Sequence, residues 1–427
     1  MQPPRAVVPL AGTLIALSLV GCTTPASHPK TKGDSAEDTG TNVPAPCASG
    51  DWGEITLTAD TLHVNDDAAE GGDGSGDAPF RTIAEALALT RVEGAARNIA
   101  LWPGSYAESL ALAADVAGLS DNGLTMQGCG STEVTLAPPD KDDPGIKISE
   151  AADVTIAGMT IDGGKRGFWV WQGATVAVAD MAVIGSSRAG VVIDGSDSIV
   201  TLDRVAVSDP QADTDGFGGY GFAFQRATVT MTNATVDGAT TAGILVDGSE
   251  AVVTMSDVTV NDTASAGSLY GRGIQMQGQS TMSVTRGTFT KNHDAGIFAL
   301  QPGLLTLDDV GVNDTLSASI VDSDEDAGDG IVVTHGSATD NWEEPYFQAS
   351  LTTIAINGAA RAGVLLSGNG VGESHAGVTI GADYDPGAGL VLKQGGATVT
   401  GAAYNLDDDA IILPYSPTTI ETDPLEP

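Results

Sequence analysis

Cysteine, aromatic residues and positive charge are all scarce in this chain. It has 427 residues, with 3 Cys, 5 per cent Phe, Trp and Tyr, and 18 Lys and Arg against 56 Asp and Glu. Three cysteines exclude a disulfide-dense miniature scaffold. The low aromatic content and the shortage of long apolar runs exclude a globule built around one thick core and favour a thin, repetitive one. The net charge of -38 argues against nucleic acid or anionic lipid as a direct partner and fits a solvated extracellular surface. No apolar period of helical length appears beyond the N-terminus, which disfavours a helical solenoid.

What is abundant is glycine, 55 residues of it, and much of it recurs in one phrase: Gly, a large apolar residue, any residue, a second apolar residue. The phrase starts at Gly145, Gly167, Gly190, Gly221, Gly243, Gly273, Gly296, Gly330, Gly363 and Gly389, with spacings of 22, 23, 31, 22, 30, 23, 34, 33 and 26 residues. A floor near 22 with variable insertions marks stacked repeats. The short copy 221–242 holds three runs of alternating apolar and polar residues, so each repeat predicts three short strands. Strands pairing in parallel with their equivalents one repeat later, ~4.8 Å away, form a parallel β-helix. The fold expected is all-β, a single β-helix of about eleven coils over 124–414. Glycine at each phrase is expected to supply a positive φ at the bend.

The residues one and three after each Gly, from Ile146 and Ile148 to Leu390 and Leu392, form the expected inward columns. Insertions at 209–219, 262–272 and 314–329 leave at one corner and should stack there as a wall. Residues 190–242 and 243–295 are each 53 long and similar to one another, as a duplicated two-coil unit would be.

Residues 1–21, with Arg5 before an apolar stretch too short to span a bilayer and Leu19-Val20-Gly21-Cys22 after it, resemble a bacterial lipoprotein signal. The resemblance implies lipidation of Cys22 and, with Thr23 following it, an outer-membrane or cell-surface location through a lipid anchor. Residues 22–46 read as a disordered tether, polar and Pro-rich. With Cys22 taken, Cys47 and Cys129 remain, and a disulfide between them is the economical reading in a secreted chain.

The segment 62–112 carries Val64-Asn65, a Gly and Asp loop over 72–76, Pro79-Phe80-Arg81-Thr82-Ile83, a short amphipathic stretch, and Pro103-Gly104-Ser105-Tyr106-Ala107-Glu108. In that order it resembles the N-terminal segment of right-handed parallel β-helix proteins of the pectin-lyase-like superfamily. The resemblance implies the handedness of the coil and an N-terminal helical cap over 47–123. Thr82 and Glu85 are spaced as a capping box, and Ile83, Ala86, Leu87 and Thr90 mark one helix face. Residues 415–427 form an acidic, Pro-rich tail.

For function, the outward positions of the phrase matter most. The column two after Gly runs Lys147, Trp169, Val192, Ala223, Leu245, Gln275, Phe298, Val332, Leu365 and Val391, too apolar for bare solvent; loops cover it or a ligand does. The column four after Gly includes Trp171, Asp194, Gln225, Asp247 and Gln277. Together with Trp169 these suit a groove that stacks on sugar rings and bonds their hydroxyls.

Asp194 and Asp247 would stand two coils apart, ~9 to 10 Å, at the edge of the range for an inverting glycosidase pair. Asp408-Asp409-Ala410-Ile411 matches one phrase of polygalacturonase-like relatives, without that family's later motifs. Arg166, Arg188, Arg272 and Arg361 precede phrase glycines and are expected to pair with the acidic insertions. Asp322, Asp324, Asp326 and Asp329 offer hard oxygen ligands for calcium, out of step with the EF-hand rule. His293 and His335 lack ligand-spaced partners.

These features lead to a monomeric, lipid-anchored surface protein whose β-helix binds carbohydrate without catalysis. The rival expectation is a polysaccharide lyase or hydrolase, since one solenoid hosts both.

Overall fold

The computed structural model describes residues 47, 57, 60–92, 97–114, 120–151, 153–265, 270–317, 328–334, 348–360, 363–367, 377–380, 385–386, 391–394, 398–401 and 406–407. Two parallel sheets, of seventeen and twelve strands, run through them. The phrase strands make up most of the smaller sheet, each pairing with the one a repeat later: Ile146–Ser149 with Arg166–Trp171, that with Ala189–Asp194, that with Tyr220–Gln225, and so on to Leu406–Asp407. The fold is a single parallel β-helix, as the spacing predicts.

The coil begins earlier than residue 124. Leu62–Val64 pairs in parallel with Asn98–Leu101, and Leu110–Ala113 already lies against Ile146–Ser149. Much of the expected cap is therefore a working coil, hidden because it lacks the glycine phrase.

The three strands per repeat are separate in that coil, as Asn98–Leu101, Gly104–Tyr106 and Leu110–Ala113. In most later coils the first two fuse into one bent strand of nine or ten residues, such as Thr175–Ile184 and Val252–Asn261. A single left-handed residue makes the bend: Asp180, Arg204, Asp257, Arg286 and Asp309 have φ of 50, 52, 56, 57 and 56°.

The phrase glycines work differently from expectation. None of the eight from Gly145 to Gly330 is at positive φ; each is confined by close approach instead. A Cβ on Gly167 would lie 2.2 Å from Val183 Cγ1 and 2.9 Å from the Gly190 oxygen, and one on Gly243 would lie 2.2 Å from Val260 Cγ1 and 2.8 Å from the Gly273 oxygen. The glycine column lets the β-branched side chains of the larger sheet reach the phrase backbone, and any side chain there overfills the core.

The inward columns fall as expected from Ile146 and Ile148 through Ile331 and Val333, all buried. In the last copy Val391 pairs with Val364 and Leu392 with Leu365; Leu390 lies outside the described residues.

At the N-terminal end the helix Ile83–Thr90 buries Ile83, Ala86, Leu87 and Thr90, with the Thr82–Glu85 capping box formed. Glu108 adds a second cap: its Oε1 and Oε2 accept from the amides of Ile83 and Ala84 at 2.7 and 2.9 Å. A carboxylate there meets orphan donors and the positive end of the helix dipole. Tyr106 donates to the Trp102 and Val64 carbonyls at 2.8 and 3.1 Å, and burial pushes its phenol well above the ordinary range. Cys47 and Cys129 form the expected disulfide, 82 residues apart. Among the described residues no helix is long and apolar enough to cross a membrane.

Candidate functional site

The outward face of the phrase sheet is a covered layer. Arg166–Trp171, Ala189–Asp194, Tyr220–Gln225 and Arg272–Gln277 are buried at nearly every position, on both sides of the strand. Trp169, Ala189, Val192, Tyr220, Ala223, Ala242 and Leu245 form an apolar cluster of their own, with Trp171 and Tyr270 packed at its margin. Tyr220 follows the insertion at 209–219 and Tyr270 lies within that at 262–272, and residues at their corner bond from coil to coil, as in Ala264 N to the Ala239 oxygen at 2.7 Å. From Trp169 to Leu245 the apolar column is therefore packed over rather than open as a groove.

Further along, the same layer turns polar while staying buried. Arg272 and Asp294 are fully buried and bonded at 2.5 Å; Arg272 also bonds Gln275 and lies 3.5 Å over the Phe298 ring. Gln275 Nε2 donates to Gln277 Oε1 at 3.0 Å. Arg272 was expected to pair with an acidic insertion; its partner instead stands two residues before the next phrase glycine, where one coil's rise brings it alongside. Arg361 lies outside the described residues.

The expected sugar platform is altered. Trp169 is 3 per cent exposed and cannot stack on a ligand, whereas Trp171 is only partly buried. The rings lie 5.1 Å apart, tilted by 31°. Gln225 and Gln277 are buried and do not line an open surface. Asp194, 4 per cent exposed, accepts from Arg226 Nη2 at 2.8 Å; that bond and the charge of Asp194 raise the guanidinium pKa. Asp247 is two coils from Asp194 in the register, through Gln225, as expected. Asp194 is thus paired with a cation.

Lys147, at the head of the outward column, stands beside both indoles. Its Nζ lies 4.3 Å from the Trp169 ring centre and 5.1 Å from that of Trp171, and the Arg166 guanidinium lies 4.3 Å over Trp169. Burial, then the nearby Arg166 charge, lower the Lys147 pKa. A lysine one coil before a tryptophan in the same column was the available signal.

Asp322, Asp324 and Asp326 lie outside the described residues. Asp329 is fully buried as the first residue of the strand Asp329–Thr334. No group of three or more His, Cys, Asp or Glu suited to a metal occurs among the described residues. His293 is half-buried, its Nδ1 3.3 Å from the Ser317 carbonyl. Cys22, His335 and Asp408 to Ile411 are likewise outside. At the other end, a cavity of about 530 Å³ opens between the Gly and Asp loop and Trp102. The indole of Trp102 donates to His63 Nδ1 at 3.3 Å, and burial lowers the imidazole pKa.

The architecture is that of a parallel β-helix. Residues 123–307 match the family described as periplasmic copper-binding protein (NosD). No curated protein matches the chain. Among solved structures, a pectate lyase is similar at 14 per cent identity, TM-score 0.49, covering 72 per cent of this chain and 79 per cent of that one. The catalytic domain of a GH87 α-1,3-glucanase gives 13 per cent, 0.45, and 83 and 68 per cent. The A-module of a mannuronan C-5 epimerase from Azotobacter vinelandii gives 13 per cent, 0.40, and 80 and 98 per cent. These likenesses are of fold.

Proposed function

We propose that this chain is an extracytoplasmic β-helical scaffold, lipid-anchored at Cys22, that binds carbohydrate without cleaving it. The observation that carries the reading is Trp171, a partly open indole braced against a buried one, at the end of the phrase column where the covering cluster stops. Aromatic faces beside polar groups are how proteins hold sugar rings. The Cys47–Cys129 disulfide supports an oxidising compartment. Calcium at the 322–329 loop remains part of the proposal only as an addition to the assay below.

Copper, named in the description of the matched family, does not fit the described donors of residues 123–307. Of the thioether, thiolate and imidazole groups that bind it, this segment offers buried methionines, one disulfide cysteine and one histidine. The seven methionines there are buried at 1 per cent exposure or less, Cys129 is in the disulfide, and His293 faces a carbonyl.

A glycan array probed with the purified protein, with and without calcium, tests the reading. Trp171→Ala should abolish any hit while the melting temperature holds. Chain-length or reducing-end products from a bound glycan would favour the rival lyase or hydrolase. No hit on any glycan would end the carbohydrate reading.

A further inference from the structure

The cavity of about 530 Å³ at the N-terminal end is walled by Asn65, Glu70, Gly72, Asp77, Pro79 and Trp102, none of them on the phrase sheet. Its volume suits a small organic molecule rather than a lone ion. The wall is held in place by its own backbone. The amides of Asp73 and Gly74 both donate to the Ala78 oxygen, at 2.9 and 3.0 Å, and the Gly74 oxygen accepts from the His63 amide at 2.8 Å. A Cβ on Gly72 would lie 2.1 Å from the Pro79 oxygen, so the loop closes on itself at a distance that only glycine allows.

The groups on that wall select for positive charge. The Trp102 indole donates its N–H to His63 Nδ1 at 3.3 Å, so what it offers the cavity is ring carbon, and an indole face attracts cations. The same bond requires an unprotonated Nδ1, and burial lowers the imidazole pKa, so His63 adds no competing charge at neutral pH. Asp77 is exposed and takes part in no ion pair or hydrogen bond among the described residues. Glu70 meets Arg81 only at 3.7 Å, with side chains 90 and 52 per cent exposed, a pair of little strength in water. No basic side chain lines the cavity, and residues 60–80 carry six acidic side chains and no Lys or Arg, so the local field repels anions. No group of three His, Cys, Asp or Glu suited to a metal occurs among the described residues.

We propose that this cavity binds a small organic cation through a primary ammonium group, set over the Trp102 ring with Glu70 and Asp77 as its acceptors. A primary ammonium carries three N–H donors, which the two carboxylates can accept. A quaternary ammonium has none and would leave both carboxylates unmet. This site stands apart from the carbohydrate reading at Trp171 and does not depend on it.

Isothermal titration of the full-length protein with cadaverine and with glucosamine, each beside its N-acetylated form, tests the proposal. At least one of the amines should bind ten times more tightly than its N-acetylated form, and which of them does so tells whether the ammonium comes from an alkyl chain or from a sugar. The double variant Glu70→Gln with Asp77→Asn should lose at least tenfold in affinity while keeping the wild-type melting temperature, since both side chains are exposed. Trp171→Ala should bind the amine as wild type does, which separates this cavity from the sugar face. Failure of both amines, or equal affinity for amine and N-acetylated forms, would overturn the proposal and leave the carbohydrate reading standing. Undiminished binding by the double variant, or loss of amine binding in Trp171→Ala, would overturn it as well by placing the ammonium elsewhere.

Discussion

The two sheets of this β-helix present their outward faces to different surroundings. On the larger sheet the strands alternate: Val252–Asn261 is exposed at Val252 and Thr254 and buried at Val253 and Met255. Its outward register, Thr201, Thr230, Thr254 and Ser283, is a ladder of small hydroxyl side chains with Ile199, Val252 and Leu304 exposed beside it. On the phrase sheet alternation vanishes, because Val192, Leu245, Phe298 and Val332 are as buried as the inward columns. One stacked backbone thus has a bare side and a side with a second core, to which Tyr220 and Tyr270 contribute beside Trp169. A period-two pattern reports burial on one face only; where both faces are covered it has nothing to report.

The contrast is sharpest in matched ion pairs. Arg272–Asp294 on the covered face is fully buried, whereas Arg286–Asp257 on the bare one is about half exposed. Arg272→Ala strands a buried carboxylate and should cost about 3 to 5 kcal/mol in denaturant unfolding. Arg286→Ala should leave the midpoint nearly unmoved. If both behave alike, the covering layer is not packed as described.

Next come the two tryptophans. Trp169→Ala should lose about 3 to 5 kcal/mol as a core truncation, and Trp171→Ala under about 1.5 kcal/mol. Equal losses would merge Trp171 into the covered layer and remove the candidate site.

Two glycines make the third test. Gly243→Val drives carbon into Val260 Cγ1 and the Gly273 oxygen and should cost about 3 kcal/mol or more. Gly185→Ala, at φ 65° with open space around it, should cost only the backbone term of about 1 kcal/mol. A reversed order in thermal melts would restore the bend as the reason for the phrase.

The smallest effect is a pH dependence on the bare face. The hydrogen bond from Arg286, with its charge, holds the Asp257 carboxyl below its ordinary 3.8. Its folded pKa is depressed, so its contribution is present above 3.8 and fades as pH falls below that value. The small stability gap between wild type and Arg286→Gln should shrink over the same window and be flat above it. A gap that widens in acid would mean that the pair does not form.

Much of this was legible from residues. The phrase spacing gave the coil, the inward columns and their register through Val364, and Thr82 with Glu85 gave the cap. The first coil was not legible, since Leu110 and Leu112 enter without the glycine. The role of that glycine was misjudged because a lone residue type cannot say whether dihedral freedom or a neighbour's methyl group demands it; Val183 and Val260 decide, and they lie on another strand. The site was half legible. Trp169 and Trp171 were visible as a pair, but which of them is open depends on Tyr220 and Tyr270 at the ends of insertions, a tertiary fact with no local signature. Lys147 became significant only when the register placed it one coil from Trp169.

The claim that the phrase sheet carries a second core is tested most directly by two aliphatic truncations seven residues apart, both at outward positions. Leu245 is fully buried and Val252 is 43 per cent exposed. Measured by equilibrium denaturation with unchanged m-values, Leu245→Ala should lose about 2 to 5 kcal/mol and Val252→Ala less than about 0.5 kcal/mol. Losses below about 1 kcal/mol for both would show that outward positions on the two sheets are equally bare, and the account would be wrong.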